Sequence, residues 1–290
     1  MCGTCGCGNP DGEITIKKPG QDHHVPHEHH HDHDHDHHHP HTHDHHHHDH
    51  HHPHRHDHHN HDHGSHQDHG HVHKTVIEVE QDILQHNELM AARNRGYFEA
   101  KNLFAINLVS SPGSGKTSLL ERTLKDLKED LSFAVIEGDQ QTLQDANRID
   151  ALDVPVVQIN TGKGCHLESD MVYGAVKKLD PANNSILMIE NVGNLVCPSM
   201  FDLGESKRVV IISVTEGEDK PLKYPDMFLS SDICIINKID LLPHLTFDLE
   251  KLKTYALQIN PKLRFFEVSA TSGQGMDLWY DWLKTEKNNL

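Results

Sequence analysis

The stretch Ser110-Ser111-Pro112-Gly113-Ser114-Gly115-Lys116-Thr117 decides the fold class of this chain. It follows an apolar run and precedes an amphipathic stretch, which is the strand-to-helix setting of a phosphate-binding P-loop. Gly113 and Gly115 allow backbone N–H groups to curl around phosphate oxygens, and the N-terminus of the next helix favours bound negative charge. The usual first glycine of the motif is Ser110 here, a small residue that is compatible with the tight turn. The alternative, a chance Gly/Ser loop, is disfavoured by the Gly-Lys-Thr ending.

This motif predicts the groups that hold nucleotide phosphates. Lys116 is predicted to lie against the β- and γ-phosphates and Thr117 to bind Mg²⁺, while Ser114 and Ser118 belong to the same loop and first helical turn.

Short β-branched runs alternate with helical stretches beyond residue 100, which predicts an α/β P-loop NTPase fold of three layers around a mostly parallel sheet. The predicted strands are Leu103–Val109, Phe133–Glu137, Val154–Ile159, Ile186–Ile189, Val209–Val214, Ile233–Ile236 and Phe265–Val268. The predicted helices are one or two within 76–100, then Lys116–Leu127, Asp145–Leu152, Cys165–Leu179, Phe247–Ile259 and Met276–Lys287.

A second motif, Asn237-Lys238-Ile239-Asp240, directly follows a predicted strand and indicates recognition of guanine. The Asp240 carboxylate can accept hydrogen bonds from guanine N1–H and the 2-amino group, which adenine does not supply. Lys238 would cover the base, and Asn237 would tie this loop to the phosphate loop. Ser269-Ala270, after the last predicted strand, resembles the third guanine-contacting loop of GTPases. The predicted ligands are therefore GTP and Mg²⁺.

Two other predicted strands end in carboxylates, at Asp139 and Glu190. A carboxylate at such a position helps to hold Mg²⁺ in P-loop enzymes, and a nearby glycine senses the γ-phosphate. Asp139 and Glu190 are predicted in the Mg²⁺ shell and, with Lys116, as the catalytic residues of GTP hydrolysis; Gly193 is predicted as the switch. The alternative is that either carboxylate is a solvated loop residue.

No glutamine stands at the usual place for orienting the attacking water, and Gln140 and Gln141 are weak candidates. This predicts slow intrinsic hydrolysis that dimerisation or a partner accelerates.

The first 75 residues have a composition unlike the remainder. All but three of the 33 His lie between His23 and His73, interspersed with Asp and almost without apolar residues, so this tract cannot bury a core. The predicted organisation is a Cys segment at 1–20, a disordered His/Asp tract at 21–75 that binds several divalent ions, and a P-loop domain with N-terminal helices at 76–290.

Charge and hydropathy exclude several classes. A formal net charge of −18 argues against nucleic-acid binding, and no apolar run reaches the roughly 20 residues of a membrane span. Without a signal peptide the chain is expected to be cytoplasmic, where its six Cys stay reduced and serve as metal ligands or core residues.

Cys2, Cys5 and Cys7 place three thiols within six residues, beside the α-amine. Such a set suits Ni²⁺, Cu or Zn²⁺, and the alternative is a disordered tail with incidental thiols.

A second candidate metal set combines Cys165 and His166 with Cys197, four residues after Gly193. A metal held there would be coupled to the nucleotide state, because the switch moves with the γ-phosphate. Three ligands are one short of a closed tetrahedron, which water or a second subunit would complete. The alternative is a buried small Cys and a capping His; Cys234, inside an apolar run, is predicted to be core.

Together the segments 109–118, 137–142 (EGDQQT), 161–167 (TGKGCHL), 190–198 (ENVGNLVCP) and 237–240 closely resemble the nickel-insertion GTPases of hydrogenase maturation, the HypB family. The resemblance implies a SIMIBI-class GTPase that forms a homodimer and hands Ni²⁺ to the [NiFe]-hydrogenase large-subunit precursor, together with an accessory nickel-binding protein. It also implies that Cys2, Cys5 and Cys7 form the high-affinity nickel site, and that Cys165, His166 and Cys197 form a weaker nickel or zinc site.

Two other functions stay open from the sequence. One is a nickel storage protein with a regulatory nucleotide domain. The other is a urease-type nickel GTPase, which is disfavoured because that related family has Cys-Pro-His where this chain has Cys197-Pro198-Ser199.

Overall fold

The computed structural model of the protein describes residues 14–19, 76–140 and 144–290, which belong to one compact unit. The thiol set Cys2, Cys5 and Cys7, the His tract, Gln141 and the proposed segment boundaries lie outside these ranges and stay predictions.

A single eight-stranded sheet organises the described residues, with strand order β1-β4-β3-β5-β2-β6-β7-β8. The short β1 pairs antiparallel to β4, and all other neighbours are parallel. The strands are β1 Thr15–Lys17, β2 Phe104–Ser110, β3 Phe133–Asp139, β4 Val156–Asn160, β5 Ile186–Glu190, β6 Lys207–Ser213, β7 Ile233–Asn237 and β8 Arg264–Glu267.

Helices cover both faces of this sheet. They are α1 Val76–Ala100, α2 Lys116–Leu127, α3 Gln144–Asp150, α4 Ser169–Leu179, α5 Lys220–Lys223, α6 Pro225–Leu229, α7 Leu249–Ile259 and α8 Met276–Asn288, with 3₁₀ turns at Cys197–Met200 and Ile239–His244. None of the helices in this part of the chain is long and apolar enough to cross a membrane.

The central strand β2 shows how the sheet separates two cores. Ile106 and Leu108 pack with α2 and α8 on one face, and Ala105, which points the other way, packs with α1 and α4. Every residue of β2 is buried, as expected of a parallel strand covered on both sides.

The predicted α/β class is confirmed, and all seven predicted strands are present. Three elements, β1, α5 and α6, were not predicted from the sequence, and the predicted start of α4 at Cys165 is wrong, because this helix begins at Ser169. The reason is a set of tertiary contacts: the side-chain oxygens of Asn191 and Asn87 accept the N–H groups of Leu167 and Ser169, and Glu168 stays extended.

This topology positions the functional residues. The carboxyl ends of parallel strands meet at one edge of a sheet, and here the ends of β2, β3, β5 and β7 carry the predicted nucleotide and magnesium residues. At the far edge, β1 lies on β4 with Thr15 opposite Asn160, and the Lys178 ammonium donates to the Ile16 carbonyl at 2.6 Å.

Two glycines provide a test of this backbone. Gly275 has φ +71°, and an added Cβ would lie 2.0 Å from the Glu267 carbonyl oxygen, whereas a Cβ on Gly96 in α1 meets nothing within 4 Å. We expect G275A to lower the free energy of unfolding by more than about 1 kcal/mol and G96A to raise it by roughly 0.5–1 kcal/mol. Urea unfolding of both variants checks this, and equal effects would contradict it.

Candidate functional site

The phosphate loop has the backbone that its sequence predicted. Gly113 and Gly115 have φ +78° and +92°, in the left-handed region that favours glycine, and α2 begins directly at Lys116. A Cβ on Gly115 would lie 2.5 Å from the Asn237 amide nitrogen, so this position has no room for a side chain.

The predicted guanine loops are bonded to the phosphate loop. The Asn237 amide donates to the Ser114 carbonyl at 3.0 Å, and its oxygen accepts from the Ala270 N–H at 3.2 Å. The Lys238 ammonium donates to the Gly113 carbonyl at 2.7 Å. The buried side chain of Asn237 therefore joins its own loop to the phosphate loop and to the loop at Ser269-Ala270. Asp240 is half-buried in the following 3₁₀ turn.

A residue that the sequence analysis missed also holds this loop. Glu216, after β6, accepts from the Ser111 hydroxyl and from the Ser213 N–H, and it pairs with Lys220 at 3.0 Å. Its position after a strand is the only pattern that could have indicated it.

An ion pair lies at the centre of the site. The Lys116 ammonium is 2.5 Å from Oε1 of Glu190, and the Thr117 hydroxyl donates to the same oxygen at 2.6 Å. Glu137 stands beside Glu190, because the two residues are partners in the β3–β5 register and point to the same face. Asp139 was predicted here instead; it lies two residues later on the same face of β3, so only the β3–β5 register identifies Glu137 as the neighbour of Glu190.

The two carboxyl groups differ in proton affinity. Burial and the Glu190 charge raise the pKa of Glu137 well above its usual value. Burial also opposes ionisation of Glu190, but the Lys116 charge and hydrogen bonds outweigh it and lower the pKa of Glu190. Lys116 shows the matching balance, since burial disfavours its charge while Glu190 raises its pKa. The Lys116–Glu190 pair is thus the stabilised ion pair, and Glu137 is the carboxyl group with the higher affinity for a proton.

This arrangement suits a hard cation. Oε2 of both Glu137 and Glu190 is buried without a hydrogen-bond partner among the residues described, and Oε1 of Glu190 accepts from the Thr117 hydroxyl. Oxygen donors of this kind are the ligands that Mg²⁺ prefers. The residues present therefore fit Mg²⁺, which Glu190 and Thr117 would hold.

Asp139, the other predicted magnesium ligand, has backbone contacts at the end of β3. It is the last residue of β3, opposite Asn160, and its carbonyl accepts from the Thr161 N–H at 2.9 Å. The Gln140 amide donates to the Gly164 carbonyl at 3.3 Å. Both residues thus adjoin the loop that leads to Cys165, and their predicted roles stay predictions.

Gly193, the predicted switch, lies against the phosphate loop. A Cβ on it would be 3.4 Å from Cα of Pro112. The segment that follows Glu190 therefore touches the loop before continuing to Cys197.

The second candidate metal set is assembled in the fold. One ligand atom from each of Cys165, His166 and Cys197 lies within 4.8 Å of the others. The two sulfurs are 2.9 Å apart, and Cys165 Sγ is 3.7 Å from His166 Nδ1. A tetrahedral ion with metal–sulfur bonds of about 2.3 Å holds two sulfurs roughly 3.8 Å apart, so metal binding would separate them by about 0.9 Å.

The surroundings of His166 keep its ring in place. The ring stacks on Phe201 with centroids 4.0 Å apart, and Nε2 is buried, 3.5 Å from a Glu168 oxygen. Soft sulfur and imidazole ligands suit Ni²⁺ or Zn²⁺ rather than Mg²⁺. By contrast, Cys234 is buried in β7 away from such ligands, and burial raises the pKa of its thiol far above the usual range.

Fold and site together define a P-loop nucleotide-binding protein of the GTPase type. The family model described as "CobW/HypB/UreG, nucleotide-binding domain" matches residues 104–267. The chain is 58% identical over 215 residues to "Hydrogenase maturation factor HypB" of Rhizobium leguminosarum bv. viciae, which covers 74% of this chain and 72% of that protein. It is 54% identical over 218 residues to the protein of that name from Escherichia coli K12, covering 75% of each. The chain belongs to the HypB family of hydrogenase maturation factors.

A solved structure supports the same placement. "Crystal structure of HypB from Helicobacter pylori in complex with nickel" aligns with a TM-score of 0.66 and 39% identity, covering 70% of this chain and 95% of that one. The predicted membership of the HypB family is confirmed.

Thiol accessibility provides a test of the candidate metal set. Alkylation requires a thiolate that the reagent can reach, so we expect iodoacetamide to modify half-buried Cys165 in the native protein and to spare Cys234. Zn²⁺ should lower Cys165 labelling at least about fivefold, because the metal occupies the thiolate. Peptide mass spectrometry measures this, and Zn²⁺-independent labelling of Cys165 would count against the site.

Proposed function

We propose that this chain is a GTP-hydrolysing nickel metallochaperone that delivers Ni²⁺ to the [NiFe]-hydrogenase large-subunit precursor in the cytoplasm. The observation that carries the proposal is the short segment from Glu190 to Cys197. It begins at the phosphate-loop ion pair, passes Gly193 against Pro112, and ends at a thiol within the three-ligand set.

GTP hydrolysis in this proposal uses positioning and electrostatics. The Lys116 ammonium and the Thr117 hydroxyl both bond to Glu190 in this structure. In the P-loop motif this lysine binds the phosphates and this hydroxyl oxygen is a ligand of Mg²⁺. Glu190 is thus the residue whose contacts depend most directly on nucleotide. Mg²⁺, when bound, supplies neutralisation of charge on the phosphates.

Ni²⁺ is cargo in this proposal. Cys165, His166 and Cys197 provide three ligands, which leaves a position for water, a second subunit of a homodimer or a receiving protein. Incomplete coordination favours release, which suits transfer to an accessory nickel-binding protein. Zn²⁺ fits the same ligands.

The N-terminal segments complete the proposed role. Cys2, Cys5 and Cys7 form a tight nickel site, and the His tract stores several ions at modest affinity each. A relative from Helicobacter hepaticus, 39% identical over 221 residues, is named "Hydrogenase/urease maturation factor HypB". Urease is therefore the second enzyme to test as a recipient of nickel.

A lysine variant separates a chaperone from a storage protein. K116A removes the predicted phosphate contact, and we expect hydrogenase activity to fall at least about tenfold even with excess nickel, because a charge-assisted contact of this kind contributes about 1.5–3 kcal/mol. K125A, an exposed lysine on the same helix, is the control. Cells carrying K116A with normal hydrogenase activity would instead support storage; urease activity in the same strains tests the second client.

Base selection tests the assignment of Asp240. D240N replaces a double acceptor by one donor and one acceptor, which matches xanthine better than guanine. We expect GTP affinity to fall at least tenfold and the affinity for xanthosine triphosphate to rise, as measured by competition with a fluorescent nucleotide. Unchanged preference for GTP would remove Asp240 from the base site.

A further inference from the structure

Asn191 connects the nucleotide edge to the loop that carries His166. It directly follows Glu190 and is fully buried. Its side-chain oxygen accepts from its neighbour Val192 at 2.9 Å and from the Leu167 N–H at 3.1 Å. A single amide oxygen therefore bonds the segment beside the phosphate loop and the segment beside the thiol–imidazole set.

A second chain of side-chain contacts starts at the nitrogen of the same amide. The Asn191 nitrogen donates to Asn107 at 3.3 Å, and the Asn107 nitrogen donates to Glu205 at 3.0 Å. Glu205 then pairs with Arg208 at 2.8 Å. All four side chains are almost inaccessible to solvent, so these bonds are unscreened by water.

This second chain of contacts ends at the segment that carries Cys197, the other segment of the candidate metal set. Arg208 donates to the carbonyls of Ser199 at 3.2 Å and Phe201 at 2.8 Å, on either side of the end of the Cys197–Met200 turn. Phe201 in turn stacks on His166. Both metal-binding segments are thus held by hydrogen bonds that meet at Asn191.

Packing limits how far Leu167 can adjust independently. Its side chain is fully buried against β3, where a Cβ on Gly138 would lie 2.9 Å from it. A close-packed residue of this kind transmits a displacement rather than absorbing it.

We propose that Asn191 is the positioning residue through which the bound nucleotide changes metal affinity at Cys165, His166 and Cys197. This inference rests on the proposed function, since it assumes that nucleotide and metal binding are coupled. By linkage, the factor by which nucleotide changes metal affinity equals the factor by which metal changes nucleotide affinity. N191A removes the shared oxygen and should bring that factor close to one.

The test uses the full-length chain with Cys2, Cys5 and Cys7 changed to Ser. In that background, sulfur-to-nickel charge-transfer absorption reports the Cys165–Cys197 site even while the His tract binds Ni²⁺. Nickel titrations are run with GDP and with a non-hydrolysable GTP analogue. We expect the two dissociation constants to differ by about fivefold or more without further substitution, and by less than about twofold in N191A.

Asn87 provides a matched control. It is also buried, and its side-chain oxygen accepts from the Ser169 N–H at 2.9 Å, at the other end of the same loop but from α1. N87A should weaken nickel binding equally in both nucleotide states and keep the fivefold ratio. Retention of the full ratio in N191A overturns the inference. If the nickel dissociation constants with GDP and with the GTP analogue are equal in the protein that has neither N191A nor N87A, nucleotide gating itself is overturned, and with it the proposed function.

Hydrogen exchange in the unsubstituted chain keeps the inference testable if N191A does not fold. Replacing GDP by the GTP analogue in nickel-loaded protein should change protection of the Leu167 amide at least severalfold and leave the Ser169 amide unchanged. Equal responses of the two amides would contradict the role of Asn191.

Discussion

A buried ion pair between Lys116 and Glu190 is the interaction on which this nucleotide edge depends. Removing two charges from water costs several kcal/mol per ion unless they pair closely and their other bonds are satisfied. Here the Thr117 hydroxyl also donates to the Glu190 carboxylate, and the raised pKa of Glu137 disfavours a second negative charge beside it. The pair therefore fixes the first turn of α2 against the end of β5.

Strand register makes that pair possible. β5 lies between β2, which leads into the phosphate loop, and β3, which carries Glu137. Because the three strands are parallel and end together, groups distant in sequence become neighbours without any long side chain crossing the sheet. The segment after Glu190 then continues to Cys197, so residues of the predicted nucleotide and metal sites share one stretch of backbone.

Much of this could be predicted from the sequence, for physical reasons that are local. Gly113 and Gly115 require left-handed backbone, β-branched runs require buried strands, and Asn237 follows such a run at a fixed place in the fold. Each of these depends on a few consecutive residues. The grouping of Cys165 and Cys197 was also predicted, from their positions relative to the loops.

The rest depends on which residues become partners across strands. Asp139 and Glu137 are equally acidic in the sequence, and only the β3–β5 register places Glu137 beside Glu190. Glu216 accepts from the hydroxyl of Ser111, which lies 105 residues earlier, and no spacing rule identifies such a partner. The late start of α4 has the same origin, since Asn191 and Asn87 satisfy the N–H groups before it.

The first and last elements of the described chain lie at opposite ends of the strands. Thr15 enters beside the carboxyl end of β4, whereas Lys287 in the last turn of α8 bonds to Asn102 and Asn184, which precede β2 and β5. A surface attachment made through that last turn would therefore be remote from the predicted nucleotide edge. A fluorophore there would report the tumbling of the sheet and its helices without crowding that edge.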